Sequence, residues 1–347
     1  MIISIFTPHG GCPERCHFCD QRVSGGEPVS AKSVQDRIAA HLASAQRAPS
    51  KNEDTTVDVA FYGGTFTGLP KPRQIAYLEA VRPYIDRGLV SGIRFATRPD
   101  AIDRLWLEEL LKSYPIKVIE LGVQSFNESA LTLLGRTHTN EDVRDASRLI
   151  QDLGVQLGFH LMIGLPGETL QPRDEDAMNV ECTLRLRPDT VRIHPLLVIR
   201  GTELAAQYQA GLFKPLMLES AVDRAAFMTE AFEAHRVKVV RLGLQPNELL
   251  AEDVLAGAFH PGFGELVRSK MTLRYIERVL KNVKIDPGTG LEIECAPSRV
   301  SQVYGEKRSN IKYLKTRFNL PQTRVTVVKG LGHEKIEVRL FNINRPT

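Results

Sequence analysis

Three of the chain's five cysteines, Cys12, Cys16 and Cys19, fall within eight positions of the stretch "HGGCPERCHFCD", directly after an apolar run. Five cysteines cannot all pair, and three this close in sequence do not make a disulfide framework, so metal binding is the better reading. Three thiolates leave one coordination position open. A structural zinc site would need His9 or His17 as its fourth ligand. A 4Fe-4S cluster held by three cysteines would instead keep one iron free to bind something else. The C-x3-C-x2-C spacing by itself leaves both readings open.

The elements around this loop read as an alternation. Apolar runs of strand length occur at Ile2 to Phe6, Thr56 to Phe61, Ile93 to Thr97, Ile116 to Val123, Val155 to Ile163, Thr190 to Ile193 and Val237 to Leu242. Amphipathic stretches of helical length lie between most of them: Ser33 to Ala45, Arg73 to Asp86, Arg104 to Tyr114, Asn140 to Leu153 and Ser220 to Ala234. Strand, helix, strand in repetition predicts a parallel sheet with crossover helices, either doubly wound or a complete or partial barrel. Near residue 245 the pattern changes. "VKIDPGTGLEIECAP" reads as a hairpin, "VYGEKRSNIKYLKTRF" as a basic helical stretch, and "RVTVVKGLGHEKIEVRLF" as a last hairpin. The expected organisation is therefore an α/β domain over 1–245 and a small C-terminal α+β extension over 246–347.

Composition sets the bounds. The 347 residues amount to roughly two domains at ~150 residues each, although α/β barrels reach ~250 residues as one unit. The 45 Lys and Arg against 41 Asp and Glu leave a formal charge of +4, which does not demand a polyanionic partner. The opening "MIISIFTPHGG" has no basic stretch followed by a long apolar core, and no segment approaches the ~20 apolar residues of a membrane span. No membrane partner is expected, and the expected compartment is the reducing cytoplasm.

Each early strand ends in a polar or glycine-rich stretch: "PHGGCPERCHFC", "YGGTFTG", "TRPD", "QSFNES" and "GLPGET" in turn. Ligands of parallel α/β folds bind at the carboxyl ends of the strands, which places the cysteines where such a fold does its chemistry. C-x3-C-x2-C with Phe18 directly before the last cysteine, on the loop after the first strand, resembles the signature of the radical S-adenosylmethionine (SAM) superfamily. "YGGTF" at 62–66, "LGVQSFNESALTLLGRTHT" and "GFHLMIGLPGET" resemble its later motifs, in order, over about 160 residues. "VRIHPLLVIRGTEL" and "YQAGLFKPLMLESAV" further resemble the radical SAM domain of the Elongator catalytic subunit, which modifies wobble uridines in tRNA. "ELGVQSF" and "GLPGET" are also similar to the oxygen-independent coproporphyrinogen oxidases. After residue 245 there is no trace of Elongator's acetyltransferase domain. "RLGLQPNELLAEDVLAGAFHPGFGELVRS" instead resembles the extension of bacterial Elongator-like radical SAM proteins.

The resemblance implies a partial (β/α)6 TIM-type barrel of six parallel strands with a seventh alongside. It implies a 4Fe-4S cluster on Cys12, Cys16 and Cys19, with SAM on the fourth iron. A one-electron reductant such as flavodoxin or ferredoxin would then drive SAM cleavage to a 5'-deoxyadenosyl radical, which takes hydrogen from a substrate. Carried over by motif, Phe18 flanks the cofactor, and Gly63, Gly64 and Thr65 meet the methionyl end of SAM. Gln124, Ser125 and Arg136 serve its ribose and carboxylate, and Ile163 and Gly164 lie under the adenine. Where the coproporphyrinogen oxidases carry a carboxylate toward the ribose, this chain has Ala96 on the third strand and His160 on the fifth.

Plainer readings stand beside these. Gly63 and Gly64 also suit a strand-ending turn, Arg136 a surface charge and Gln124 a strand-end hydrogen bond. Arg192, His194 and Arg200 are candidate substrate contacts, and His260 and Glu265 fit either the barrel mouth or a helix cap. "EKRSNIKYLKTR" fits a solvated helix face or a nucleic-acid contact. Three functions follow: a radical SAM enzyme on tRNA or other RNA, one on a small molecule, tetrapyrrole or peptide, and a zinc-bearing RNA- or protein-binding module without catalysis.

Overall fold

The computed structural model describes residues 1–13, 15–20, 30–47, 56–168, 171–245, 248–332 and 335–343. Residue 246, where the sequence places the start of the extension, and Thr169 of the "GLPGET" stretch lie outside them.

Seven strands form one parallel sheet: β1 (Ile2–Thr7), β2 (Asp58–Gly63), β3 (Gly92–Thr97), β4 (Ile116–Gln124), β5 (Gln156–Ile163), β6 (Thr190–Pro195) and, after a short β7 (Leu197–Ile199), β8 (Lys238–Leu242). Their order is β1-β2-β3-β4-β5-β6-β8, all pairs parallel. Each strand lies beside its predecessor, and the order never reverses as it does in a doubly wound sheet. That decides between the two architectures left open by the alternation: the sheet is an open half-barrel of six strands with β8 added beyond β6. β7 leaves the sheet and pairs antiparallel with β9 (Val254–Gly257).

The helices form where the amphipathic pattern places them, with local starts. Asp103 accepts from Trp106 N at 2.7 Å to begin Arg104–Ser113, and Thr139 makes a capping box with Asp142 for Asn140–Asp152. Odd-numbered residues of β2 and β3 face away from the barrel interior, where Phe61 stacks on Tyr77 of the helix Lys71–Asp86 with ring centroids 5.8 Å apart. Phe61, Phe66 and Phe95 stack there with centroids 5.2 and 4.6 Å apart, all under 2% exposed. Even-numbered residues of the same strands, including Ala60, Tyr62 and Ala96, face the barrel interior.

By internal contacts the chain divides into two compact units, one of Met1–Leu218 with Ala231–Phe259, the other of Glu219–Glu230 with His260–Thr347. In the second, the helix Phe263–Lys281 packs Leu273, Ile276 and Leu280 into a core with Leu291, Ile293 and Cys295 of β10 (Thr289–Cys295). Here two sequence expectations are corrected. The 283–297 stretch is a turn leading into one strand, and the last two strands, β11 (Thr323–Val327) and β12 (Ile336–Asn342), do not form a hairpin with each other. Both flank β10, β11 parallel and β12 antiparallel. A parallel neighbour requires a crossover, and the segment after β10 supplies it with the helices Val300–Tyr304 and Ser309–Arg317. The basic stretch is thus two helices, broken at Gly305 (φ 70°), where a Cβ would stand 2.6 Å from Ser309 Oγ.

Candidate active site

β1 ends at Thr7, and the cysteine loop that follows is tied to the loop after β2 by backbone. Gly10 N and Gly64 N both donate to the Thr7 carbonyl at 3.0 and 3.1 Å, and Thr65 N donates to Gly10 O at 2.7 Å. The fit depends on absent side chains. A Cβ on Gly64 would lie 2.0 Å from Gly10 O, and one on Gly11 would lie 2.2 Å from Thr65 O, so the two loops interlock main chain to main chain. The glycines expected to approach SAM therefore also clamp the loop that carries the thiols. Further along, His17 N donates to Leu134 O at 2.9 Å, and Cys19 N to Cys16 O at 3.0 Å.

Cys12, Cys16 and Cys19 all line one interior cavity of about 530 Å3, and none of the three is in a disulfide. Cys12 Sγ is 3.4 Å from Thr65 Oγ1, and Arg136 Nη1 points at Cys16 Sγ from 3.7 Å while Nη2 donates to Gly122 O. The same cavity is lined by Phe18, Gly63, Gly64, Thr65, Gln124 and His160. Gln124 sits at the end of β4 with φ 67°, beside a register shift between β4 and β5. Phe18 also packs on the apolar cluster of Leu134 and Met162.

Three expected contacts lie elsewhere. Ser125 is 1% exposed and its hydroxyl bonds Asn179 Oδ1 at 3.1 Å, accepting from Asn127 N at 3.0 Å. Ile163 is 1% exposed and absent from the cavity wall, as is Gly164, whose N–H donates to Glu168 Oε1 at 3.1 Å. Side chains alternate along a strand, so Ile163, three residues from the cavity-facing His160, belongs to the opposite face. Of the other candidates, Arg192 and His194 line the cavity. Arg200 does not, and pairs with Asp253 at 3.2 Å. In the second unit, His260 Nδ1 accepts from Gly262 N at 3.0 Å and Glu265 accepts from Ser301 Oγ at 2.6 Å, while no side chain caps the helix Phe263–Lys281.

One group escaped the sequence reading. Glu120, in the middle of β4 and 1% exposed, is the meeting point of side chains from four other strands. Tyr62 Oη and Arg94 Nη2 donate to its Oε1 at 2.7 and 2.8 Å, and His160 Nε2 and Arg192 Nε to its Oε2 at 2.7 and 2.5 Å. Gly158 on β5 leaves the room, since a Cβ there would stand 3.0 Å from Glu120 Cγ. Burial works to raise the Glu120 pKa, but the His160 hydrogen bond and the Arg192 guanidinium outweigh it and hold the carboxyl well below its usual range. Burial and the neighbouring Glu120 carboxylate keep the Tyr62 phenol protonated far above the ordinary value. The available signal was a lone carboxylate inside the apolar run "VIELGV".

The donor set suits a cluster with an open iron. Cys12, Cys16 and Cys19 bring three thiols to one cavity, the ligand count that leaves one iron of a 4Fe-4S cluster open. Of the two histidines either of which could complete a zinc site, His9 Nε2 stands 3.9 Å from Asp20, and His17 Nδ1 is 3.0 Å from Leu133 O.

Comparison with known proteins agrees. The Radical SAM superfamily matches residues 6–178, and the Radical_SAM C-terminal domain matches 188–272. A tRNA uridine(34) acetyltransferase of Methanocaldococcus infernus is 26% identical, covering 88% of this chain and 60% of that protein. Human Elongator complex protein 3 is 28% identical, covering 65% of this chain and 44% of that protein. The chain thus spans less than two thirds of the length of these relatives. Among solved structures, archaeal Methanocaldococcus infernus Elp3 with an N-terminal deletion superposes with a TM-score of 0.63 at 22% identity, over 84% of this chain and 70% of that one, a likeness of fold. The zinc-bearing binding module is not favoured. The chain belongs to the radical SAM superfamily, whose members bind a 4Fe-4S cluster and S-adenosylmethionine.

Proposed function

We propose that this chain is a radical SAM enzyme acting on RNA, with the chemistry in residues 1–245. The observation that carries the reading is the opening of Cys12, Cys16 and Cys19 onto the same cavity as Gly63, Gly64, Gln124 and Arg136. Cys12, Cys16 and Cys19 would hold the cluster there. Gly63, Gly64 and Thr65 offer main chain to the methionyl end of SAM, while Gln124, Arg136 and His160 present polar atoms for its carboxylate and ribose. When bound, the cluster and SAM supply one-electron cleavage to methionine and a 5'-deoxyadenosyl radical that takes a hydrogen atom from the substrate. The protein's own part is orientation and exclusion of water, the latter by the apolar wall of Phe18 and Met162. A one-electron reductant such as flavodoxin or ferredoxin completes the system.

RNA is supported by the tRNA uridine(34) acetyltransferases among the relatives and by the basic run Lys307, Arg308, Lys312, Lys315 and Arg317 in the second unit. The test is anaerobic reconstitution with iron and sulfide, reduction with dithionite, addition of SAM and measurement of 5'-deoxyadenosine. Formation by the wild type and not by Cys16→Ala supports the reading. One tightly bound zinc per chain and no cleavage would overturn it.

A further inference from the structure

The interior below the cysteine loop carries more positive charge than it neutralises. Arg94 and Arg192 share a single carboxylate, Glu120, so one guanidinium charge is left over. Arg241 adds another. It lines the same cavity, donates to Gly243 O at 3.3 Å, and has no carboxylate within ion-pair distance among the described residues. Register makes this worse, because β6 and β8 place Arg192 and Arg241 directly opposite each other. Like charges facing across a strand pair are destabilising, and unpaired charge in an interior is costly. A network built only to hold the barrel together would be closer to neutral.

The neighbouring groups are also poised as donors. His194, two residues beyond Arg192 on β6, lines the cavity, and its Nδ1 is buried without a hydrogen-bond partner. Burial, then the nearby His160 and Arg192, push the His194 pKa down to about 3 against a hydrogen bond to the Gly243 backbone, so the imidazole is neutral. Burial and the adjacent Arg192 likewise lower the Arg241 pKa, as expected where positive charge is uncompensated.

We propose that Arg192, Arg241 and His194 form a receptor for an oxyanion, a phosphate or carboxylate borne by the substrate, seated on the cavity side of the Glu120 network. Glu120 serves as the positioning residue, holding Arg192 through Nε at 2.5 Å and Nη2 at 3.2 Å, with Nη2 also donating to Tyr62 Oη, which leaves Nη1 for the anion. The inference rests on reading this cavity as the radical SAM site and adds to it the charge class of what enters.

The test is calorimetric titration of inorganic phosphate, and separately of acetate, into the anaerobically reconstituted protein at constant ionic strength in chloride. Saturable binding of either is expected, phosphate alone marking a phosphate-bearing substrate and acetate alone a carboxylate. Arg241→Gln should weaken it by about tenfold or more, as loss of a charge-assisted contact does. Arg241→Lys should restore it, and Arg104→Gln, at an exposed helix position, should leave it unchanged. If Arg241→Gln does not fold, His194→Gln carries the same expectation. No saturable binding of either anion, or binding unaltered by these changes, overturns the proposal. Cleavage of SAM is assayed in parallel. Cleavage without anion binding removes this inference and leaves the radical reading, while Arg241-dependent binding without cleavage does the reverse.

Discussion

Gly64 faces the carbonyl of Gly10 so closely that a Cβ on it would stand 2.0 Å from the oxygen. The contact is between main chains, so no side-chain rotation relieves it. Gly64→Ala should therefore displace the cysteine loop, cost roughly 1–3 kcal/mol as overpacking does, and lower iron and sulfide uptake on reconstitution. A variant with full iron content and unchanged melting temperature would show that the two loops do not depend on each other.

The Glu120 network makes a different prediction. Glu120→Gln keeps the shape but removes the one negative charge shared by Arg94 and Arg192. Removing one partner of a buried ion pair costs about 3–5 kcal/mol, and the urea midpoint should fall accordingly. A loss no larger than that of an exposed pair such as Arg104 with Glu108 would mean that water screens the interior.

Acid stability follows from His138, which is 3% exposed and whose pKa is pushed down to about 4, first by burial and then by the neighbouring Arg136. A histidine depressed in the folded state stays neutral while the unfolded chain takes up a proton. Its contribution is thus complete above pH 6.5, its ordinary value, and is lost as pH falls from there to about 4. The loss is about 1.4 kcal/mol per pH unit. His138→Gln should flatten the fall in urea stability across that window, and parallel curves for the two proteins would refute the assignment.

Arg136 puts a positive charge 3.7 Å from Cys16 Sγ. With a cluster bound there, Arg136→Leu should move its reduction potential to more negative values, because the added electron loses a favourable neighbour. A spectroelectrochemical titration showing no shift, or a positive one, would place Arg136 outside the cluster's field.

For RNA binding, replacing Lys312, Lys315 and Arg317 with Gln should reduce the slope of log affinity against log salt by roughly 2, the release expected from three single-strand phosphate contacts. An unchanged slope would assign this helix face to solvent.

What the sequence determined by itself is what is local. The cysteine spacing, the glycines after β2, the alternation of strand and helix and the Thr139 capping box are each written within a few residues. The structure keeps them, with helix and strand ends shifted by a residue or two. The tertiary structure alone decided what depends on register and curvature. Strands buried on both faces carry no polar alternation to mark the inside, so the sequence did not show that Tyr62, Arg94, Glu120, His160 and Arg192 point to one place, or that Ile163 points away from it. Nor did turn residues show that β10 would take both later strands as partners, since pairing was settled by which strand buries Leu291 and Ile293 in the core of the second unit. The charge left on Arg241 is of the same kind, created only when β8 settles beside β6.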